Sequence, residues 1–233
     1  MPARPSSDPP PKRLQVVQVV QNSIVLPRTE AAPKSRSDSA FLRAKRGLDV
    51  AVATAALVPL AALLVTIWAI NLRLNPGPLF FTQRRMGQDG RPFTIYKFRT
   101  MLPAAQIERG FDDPVEVDRI TPFGALMRRT RVDELPQVLN ILLGQMSLIG
   151  PRPDSYSHAV RFADLVPGYR ERHRVRPGLT GLAQVSVGYA EGLDATARKV
   201  AADLTYIRDM SPLLDLRIAL ITVWVVLSGH GAR

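Results

Sequence analysis

The 233 residues include no cysteine, which excludes a disulfide frame, a thiol nucleophile and a thiolate metal site. Histidine is nearly absent: His158, His173 and His230 stand far apart. That scatter argues against a His-rich zinc or iron centre and leaves a hard cation on carboxylate oxygens as the metal to consider. Negative charge is also scarce. Asp and Glu number 20 against 31 Lys and Arg, a formal net charge of +11, which points to a polyanionic partner such as nucleic acid, anionic lipid or a phosphorylated substrate. No helix-turn-helix, zinc-finger or RNP-like pattern accompanies that charge, so nucleic acid is set aside. Nothing at the start reads as a cleavable signal, because Pro2, Pro5, Pro9, Pro10 and Pro11 precede any apolar stretch; the bulk of the chain is expected in the cytoplasm.

What is present falls into three parts. Residues 1–40 are rich in Pro, Ser and Arg and read as a disordered tail. It is interrupted by Leu14-Gln15-Val16-Val17-Gln18-Val19-Val20, a short β segment or a docking peptide. Residues 41–74 hold an apolar run from Val50 to Ile70, about 21 residues and about 31 Å as a helix, the thickness of a hydrocarbon core. Pro59 near its middle removes a hydrogen bond and kinks it. Arg43, Lys45 and Arg46 precede the run and Arg73 follows it, so the positive-inside rule gives a simple span no clear orientation. A re-entrant helix, broken at Pro59 and returning to its own face, resolves that conflict; a span and a buried soluble helix are the alternatives. Residues 75–233 form the expected catalytic domain.

Within that domain, two β-rich stretches flank Gln88-Asp89-Gly90 between Pro78 and Met101, the pattern of a β-hairpin. Alternation puts Lys97 and Arg99 on one face, a solvated face in the plain reading and an oxyanion contact in the sharper one. Residues 102–120 read as an acidic surface loop with a short helix. Helices are expected over Phe123–Arg131, after Glu134 as far as Gly144, and over Thr196–Met210. The last apolar helix, 213–228, contains Asp215 and Arg217; these oppose a full span and favour an interfacial helix with Trp224 at the boundary. A basic knot, Arg170, Arg172, His173, Arg174 and Arg176, leads into Pro177-Gly178-Leu179-Thr180-Gly181, where backbone and side-chain donors are expected to converge on an anion.

The centre of the chain is Arg128-Arg129-Thr130-Arg131-Val132-Asp133-Glu134-Leu135-Pro136-Gln137. Asp133 suits the N-cap of the following helix, with Pro136 tolerable in its first turn. Alone, the acidic pair reads as a capped helix with a solvated charge cluster. With cations beside it, the pair can handle a metal and a phosphate. Gly150-Pro151-Arg152-Pro153 is a rigid turn, able to hold a guanidinium in place at low entropic cost.

Taken in order, Lys45-Arg46-Gly47-Leu48-Asp49, the Pro-broken apolar helix, Gln83-Arg84-Arg85-Met86-Gly87, Tyr96-Lys97-Phe98-Arg99-Thr100-Met101, Asp133-Glu134-Leu135-Pro136-Gln137, Met146 to Pro153 and Arg176-Pro177-Gly178-Leu179-Thr180-Gly181 resemble the bacterial sugar transferases, the monotopic phosphoglycosyl transferases. The likeness runs from about residue 41 to the end and is to the short, exopolysaccharide-priming type with one membrane helix. It implies an α+β, mainly helical fold: a re-entrant membrane helix, interfacial amphipathic helices and a β-hairpin beside the active site. It implies transfer of a sugar-1-phosphate from a UDP-sugar to polyprenol (undecaprenyl) phosphate with release of UMP, the first step of exopolysaccharide or surface glycan synthesis. By the same resemblance Asp133 is the nucleophile that carries the phosphosugar, Glu134 assists with metal and proton handling, and Mg²⁺ is the cofactor, held by Asp133 and Glu134. Lys97, Arg128, Arg152 and Asp203 match active-site or phosphate-contacting positions; Arg99 and Arg176 join them from the residue pattern alone.

The implied setting is the bacterial inner membrane, with the catalytic domain on its cytoplasmic face, anionic lipids beneath it and other polysaccharide assembly proteins as further partners. Two departures stand out. Val58, where many members have Ser, precedes Pro59, and Gln184-Val185 is followed by Ser186-Val187-Gly188-Tyr189 rather than by Gly-Arg. A catalytically silent membrane scaffold is the alternative function.

Overall fold

A computed structural model describes residues 37–103, 116–187 and 192–228. The tail to residue 36 with its Leu14–Val20 patch, most of the acidic loop, and Gly188-Tyr189 lie outside the described residues.

The chain's longest apolar run forms helix α1, Ser37–Leu74, whose helical pattern continues through Pro59. Most of its apolar surface is exposed, including Val58, Val65, Trp68 and Leu72. One stripe is not: Ala53, Leu60 and Ile67, spaced two turns apart, are buried in the main core with Phe93, Ile95, Met127 and Ile141. Both ends of α1 are tied to the domain by polar bonds. At the base, Arg46 donates to the carbonyls of Ile141 and Leu142 at 2.6 and 3.1 Å, the first of which also accepts from the Gly144 amide. Asp49 accepts from the amide of Leu148 at 3.0 Å, and Lys45 pairs with Asp215 at 2.6 Å. At the far end Asn75 donates to the Arg99 carbonyl at 2.8 Å.

Strands β1 (Phe80–Met86) and β2 (Pro92–Phe98) pair antiparallel with Phe80 opposite Phe98 and Met86 opposite Pro92. The connection turns through Asp89 and Gly90, both at positive φ, positions suited to Asp and Gly. Thr121 caps α2 (Pro122–Arg129), its hydroxyl accepting from the Gly124 amide at 2.9 Å.

The next segment departs from expectation. Arg131 takes a left-handed conformation (φ 59°, ψ 13°), and Val132–Gln137 is a 3₁₀ turn with Asp133 inside it. Asp133 is therefore not a helix cap, and α3 is only Val138–Leu142. Pro136 has no amide to donate within the turn, and α-helical geometry starts only beyond it, at Val138.

Strands β3 (Ser147–Ile149) and β4 (Gly178–Thr180) form a parallel pair. A Cβ at Gly178 would lie 2.1 Å from the amide nitrogen of Gly150. Gly178 of the Pro-Gly-Leu-Thr-Gly run thus serves close backbone approach, and its amide donates to the Pro151 carbonyl at 2.9 Å. Between the two strands lie α4 (Tyr156–Leu165) and a 3₁₀ turn, Glu171–Arg174. The chain then continues through α5 (Leu182–Ser186), α6 (Leu193–Asp209) and α7 (Pro212–Ser228). Helix α7 buries Ile218 against Tyr206 and Leu182 and exposes Leu213, Leu216, Leu220, Trp224 and Leu227, which recur at helical spacing on one face. The described chain is mainly helical, with two small two-stranded sheets.

Candidate active site

Strand β2, the 3₁₀ turn and the Gly150–Pro153 turn converge on Glu134. Packing of β2 on the segment after Glu134 depends on Asn140, which donates to the Thr94 carbonyl at 2.7 Å and accepts from the Tyr96 amide at 3.2 Å. This pairing sets Lys97 in register, and its Nζ lies 2.6 Å from Glu134 Oε1. Arg152 grips the same carboxylate with two nitrogens, at 2.5 Å to Oε1 and 3.3 Å to Oε2. A bidentate guanidinium fixes direction as well as charge. Burial pushes the Glu134 pKa upward, but Arg152 and Lys97 outweigh it and hold the group well below the usual carboxylate range. Burial also lowers the Lys97 pKa, aided by the nearby Arg152.

Asp133 is as buried as its neighbour, at 7% exposure each, yet its Oδ1 has no hydrogen-bond partner. Burial raises its pKa, the adjacent Glu134 raises it further, and Lys97, Arg128 and Arg131 pull it back. Adjacent carboxylates have been driven apart: one is pinned as an anion between two cations, the other kept basic and uncommitted. Such a split marks a reactive site more often than a structural one.

The profile of the bacterial sugar transferase family matches residues 40–229. The chain belongs to that family. The UDP-N-acetylgalactosamine-undecaprenyl-phosphate N-acetylgalactosaminephosphotransferase of Aeromonas hydrophila is 42% identical over 191 residues, 81% of this chain and 45% of that protein. A UDP-glucose:undecaprenyl-phosphate glucose-1-phosphate transferase of Caulobacter vibrioides is 43% identical over 197 residues, 81% of this chain and 71% of the relative. The exopolysaccharide production protein PSS of Rhizobium leguminosarum bv. phaseoli is 41% identical over 187 residues, 77% of this chain and 92% of the relative. The chain thus spans less than half of the Aeromonas protein but nearly all of the Rhizobium one.

The remaining expected site residues of this family member divide. Arg128 is near enough to lower the Asp133 pKa, while its Nε donates to Thr100 at 2.9 Å. Arg99 lies elsewhere: its guanidinium bonds both oxygens of Asn75 and the carbonyls of Pro78 and Met101, latching the end of α1 to the end of β2. Arg176 donates to the Gly144 carbonyl at 2.9 Å, closing the turn after α3. Asp203 is 1% exposed and sits 2.7 Å from Arg172; burial, opposed by Arg172, raises its pKa to about 6. Arg172, Asp154 and Tyr169 make up the rest of that cluster. The sequence signals their types but not their pairing, because the partners stand 15 or more residues apart.

Among the described residues no three His, Cys, Asp or Glu side chains gather as a ready-made metal set. The donors on hand are the unpartnered Asp133 oxygen and a Glu134 already shared with cations. That suits a cation that completes its shell with substrate phosphates and water, as Mg²⁺ does.

Proposed function

We propose that the protein is a membrane-bound phosphoglycosyl transferase that moves a sugar-1-phosphate from a UDP-sugar to polyprenol phosphate, initiating an exopolysaccharide or surface glycan. The observation that carries the reading is the buried, unpartnered Oδ1 of Asp133 beside a Glu134 clamped by Lys97 and Arg152. Family membership and the relatives' names supply the reaction class.

In the first step Asp133 attacks the sugar-bearing phosphorus. An aspartyl–phosphorus bond forms, the phosphoanhydride bond breaks, and UMP leaves with the bonding electron pair. In the second, a phosphate oxygen of the polyprenol phosphate attacks the same phosphorus, and the Asp133 carboxylate is released. Splitting the transfer lets a water-soluble donor and a lipid acceptor use one site in turn. A carboxylate approaching an anionic diphosphate needs fixed positive charge. Lys97 and Arg152, both paired with Glu134, supply it, and Arg128 adds charge from α2. Mg²⁺, held by Asp133 and Glu134 together with the donor phosphates, would neutralise further charge on the diphosphate.

The site belongs at the cytoplasmic face of the inner membrane, where the acceptor phosphate lies at headgroup level. Both ends of α1 bond to the same domain, which opposes a simple span; a re-entrant course needs a bend at Pro59, through which the helical pattern runs on. The exposed Leu213–Trp224–Leu227 face of α7 suits the interface, and the excess of basic residues favours an anionic leaflet. The relatives' donors differ, UDP-N-acetylgalactosamine in one and UDP-glucose in another, so the donor is found by experiment. Purified protein in detergent with Mg²⁺ is presented with a panel of UDP-sugars, with and without undecaprenyl phosphate. Lipid-dependent UMP release from one sugar is expected. Absence of release from every UDP-sugar by folded protein would overturn the reading in favour of a silent scaffold or another nucleotide donor.

A further inference from the structure

The segment Pro151-Arg152-Pro153-Asp154 is held at every carbonyl. Pro151 accepts from the Gly178 amide at 2.9 Å and Asp154 from the Met86 amide at 3.1 Å. Pro153 accepts from Arg85 and Arg152 from Arg172 Nη2, each at 2.9 Å. Two of these four acceptors are therefore held by guanidinium groups, and the two prolines have no amide with which to form a ladder of their own. Arg172 is the more constrained of the two. It is 4% exposed, its other nitrogen pairs with Asp154, and Asp203 approaches it at 2.7 Å from α6. Its charge is thus balanced by carboxylates from two elements, and its one backbone bond goes to the residue whose side chain grips Glu134.

We propose that Arg172 is a positioning residue for the active site, fixed by Asp154 and Asp203 so that it holds the Arg152 backbone where the guanidinium meets Glu134 squarely. Arg172 touches no reacting atom on this account. It acts through Arg152, and Asp203 acts through Arg172. The inference deepens the transferase reading and rests on it for its kinetic test.

A guanidinium clamp on Glu134 needs fixed geometry, whereas a lysine there is a flexible point charge that depends less on the backbone beneath it. Arg172→Lys is therefore compared in the wild-type and Arg152→Lys backgrounds, with Asp203→Asn as a second perturbation of the same chain should Arg172→Lys fail to fold. A misplacement of the order of 1 Å is expected to lower kcat/KM by roughly 100-fold in the wild-type background and by less than about 3-fold in the Arg152→Lys background. A structural role alone would lower both by the same factor. Amide hydrogen exchange supplies a readout independent of turnover: faster exchange is expected in peptides covering residues 147–155, with the remainder unchanged. Equal losses in the two backgrounds, wild-type kinetics in either perturbation, or uniformly faster exchange would overturn the proposal. An inactive wild-type protein would count against the transferase reading instead, and exchange would still decide whether Arg172 holds the turn.

Discussion

Two arginine–carboxylate clusters share the Pro151–Asp154 turn and use it oppositely. On one side, Lys97 and Arg152 converge on Glu134, with Asp133 beside it lacking a partner at Oδ1. On the other, Arg172 is closed in by Asp154, Asp203 and Tyr169, whose hydroxyl donates to Asp154 at 2.7 Å. The first cluster leaves a buried carboxylate oxygen with neither a hydrogen bond nor an ion pair. In the second, Asp203 Oδ1 and Oδ2 and Arg172 Nε are also buried without a hydrogen bond, but both carboxylates there are ion-paired with Arg172. A buried ion pair is weak evidence of stability in itself; what separates the clusters is that Asp203 faces a cation at 2.7 Å, whereas among the described residues Asp133 has no ion pair.

The largest effect is expected where the reactive cluster is opened. Glu134→Gln leaves Lys97 and Arg152 facing each other without their shared anion, a change that costs about 3–5 kcal/mol in buried pairs. Urea or thermal unfolding in detergent checks this, and UMP release should fall roughly 100-fold or more; a variant as stable and active as wild type would remove the distinction between the clusters. Gly178→Ala attacks the turn they share. With 2.1 Å between the added Cβ and the Gly150 nitrogen, the β3–β4 pair must part, and a loss of about 2–4 kcal/mol is expected by the same unfolding measurement.

Titration separates Glu134 of the first cluster from Asp203 of the second by sign. Glu134 has a depressed folded pKa, so its contribution to stability is present above the ordinary glutamate pKa and is lost as pH falls through the folded value. Asp203 has a folded pKa raised to about 6, so its contribution is present below the ordinary aspartate value and is lost as pH rises from there through 6. A pH series of Tm should show the Asp203→Asn variant lacking that decline between about pH 4 and 6; parallel profiles for variant and wild type would contradict it. The smallest effect is expected outside both clusters. Arg170 and Asp164 pair at 2.8 Å, but their side chains are 72% and 69% exposed, and Arg170→Ala should move stability by less than about 1 kcal/mol.

Much of this was legible in the chain. The apolar run of α1, the Gln-Asp-Gly turn between two β-rich stretches, and the Asp133-Glu134 and Gly-Pro-Arg-Pro motifs are local patterns with local causes, and α1, the β1–β2 pair and the segments holding those motifs stand where the patterns put them. Local reasoning failed where an unusual backbone conformation or a distant partner decided the outcome. A left-handed Arg131 leads into a 3₁₀ turn where a capped helix was expected. Alternation grouped Arg99 with Lys97, yet Arg99 lies beyond the last residue of β2 and turns to Asn75. Arg172 read as one cation among several in a basic knot; its importance comes from Asp154 and Asp203, which the fold brings to it from α6 and the Gly-Pro-Arg-Pro turn.

The central claim, that the uncommitted carboxylate is the one that reacts, is tested most directly by trapping. Protein incubated with its UDP-sugar and Mg²⁺ but no lipid acceptor is measured by intact mass spectrometry and peptide mapping. A stoichiometric gain equal to one sugar phosphate, located on Asp133, absent from Asp133→Asn and discharged by undecaprenyl phosphate, is the predicted result. An adduct on another residue, or lipid-dependent turnover by Asp133→Asn at the wild-type rate, would contradict it.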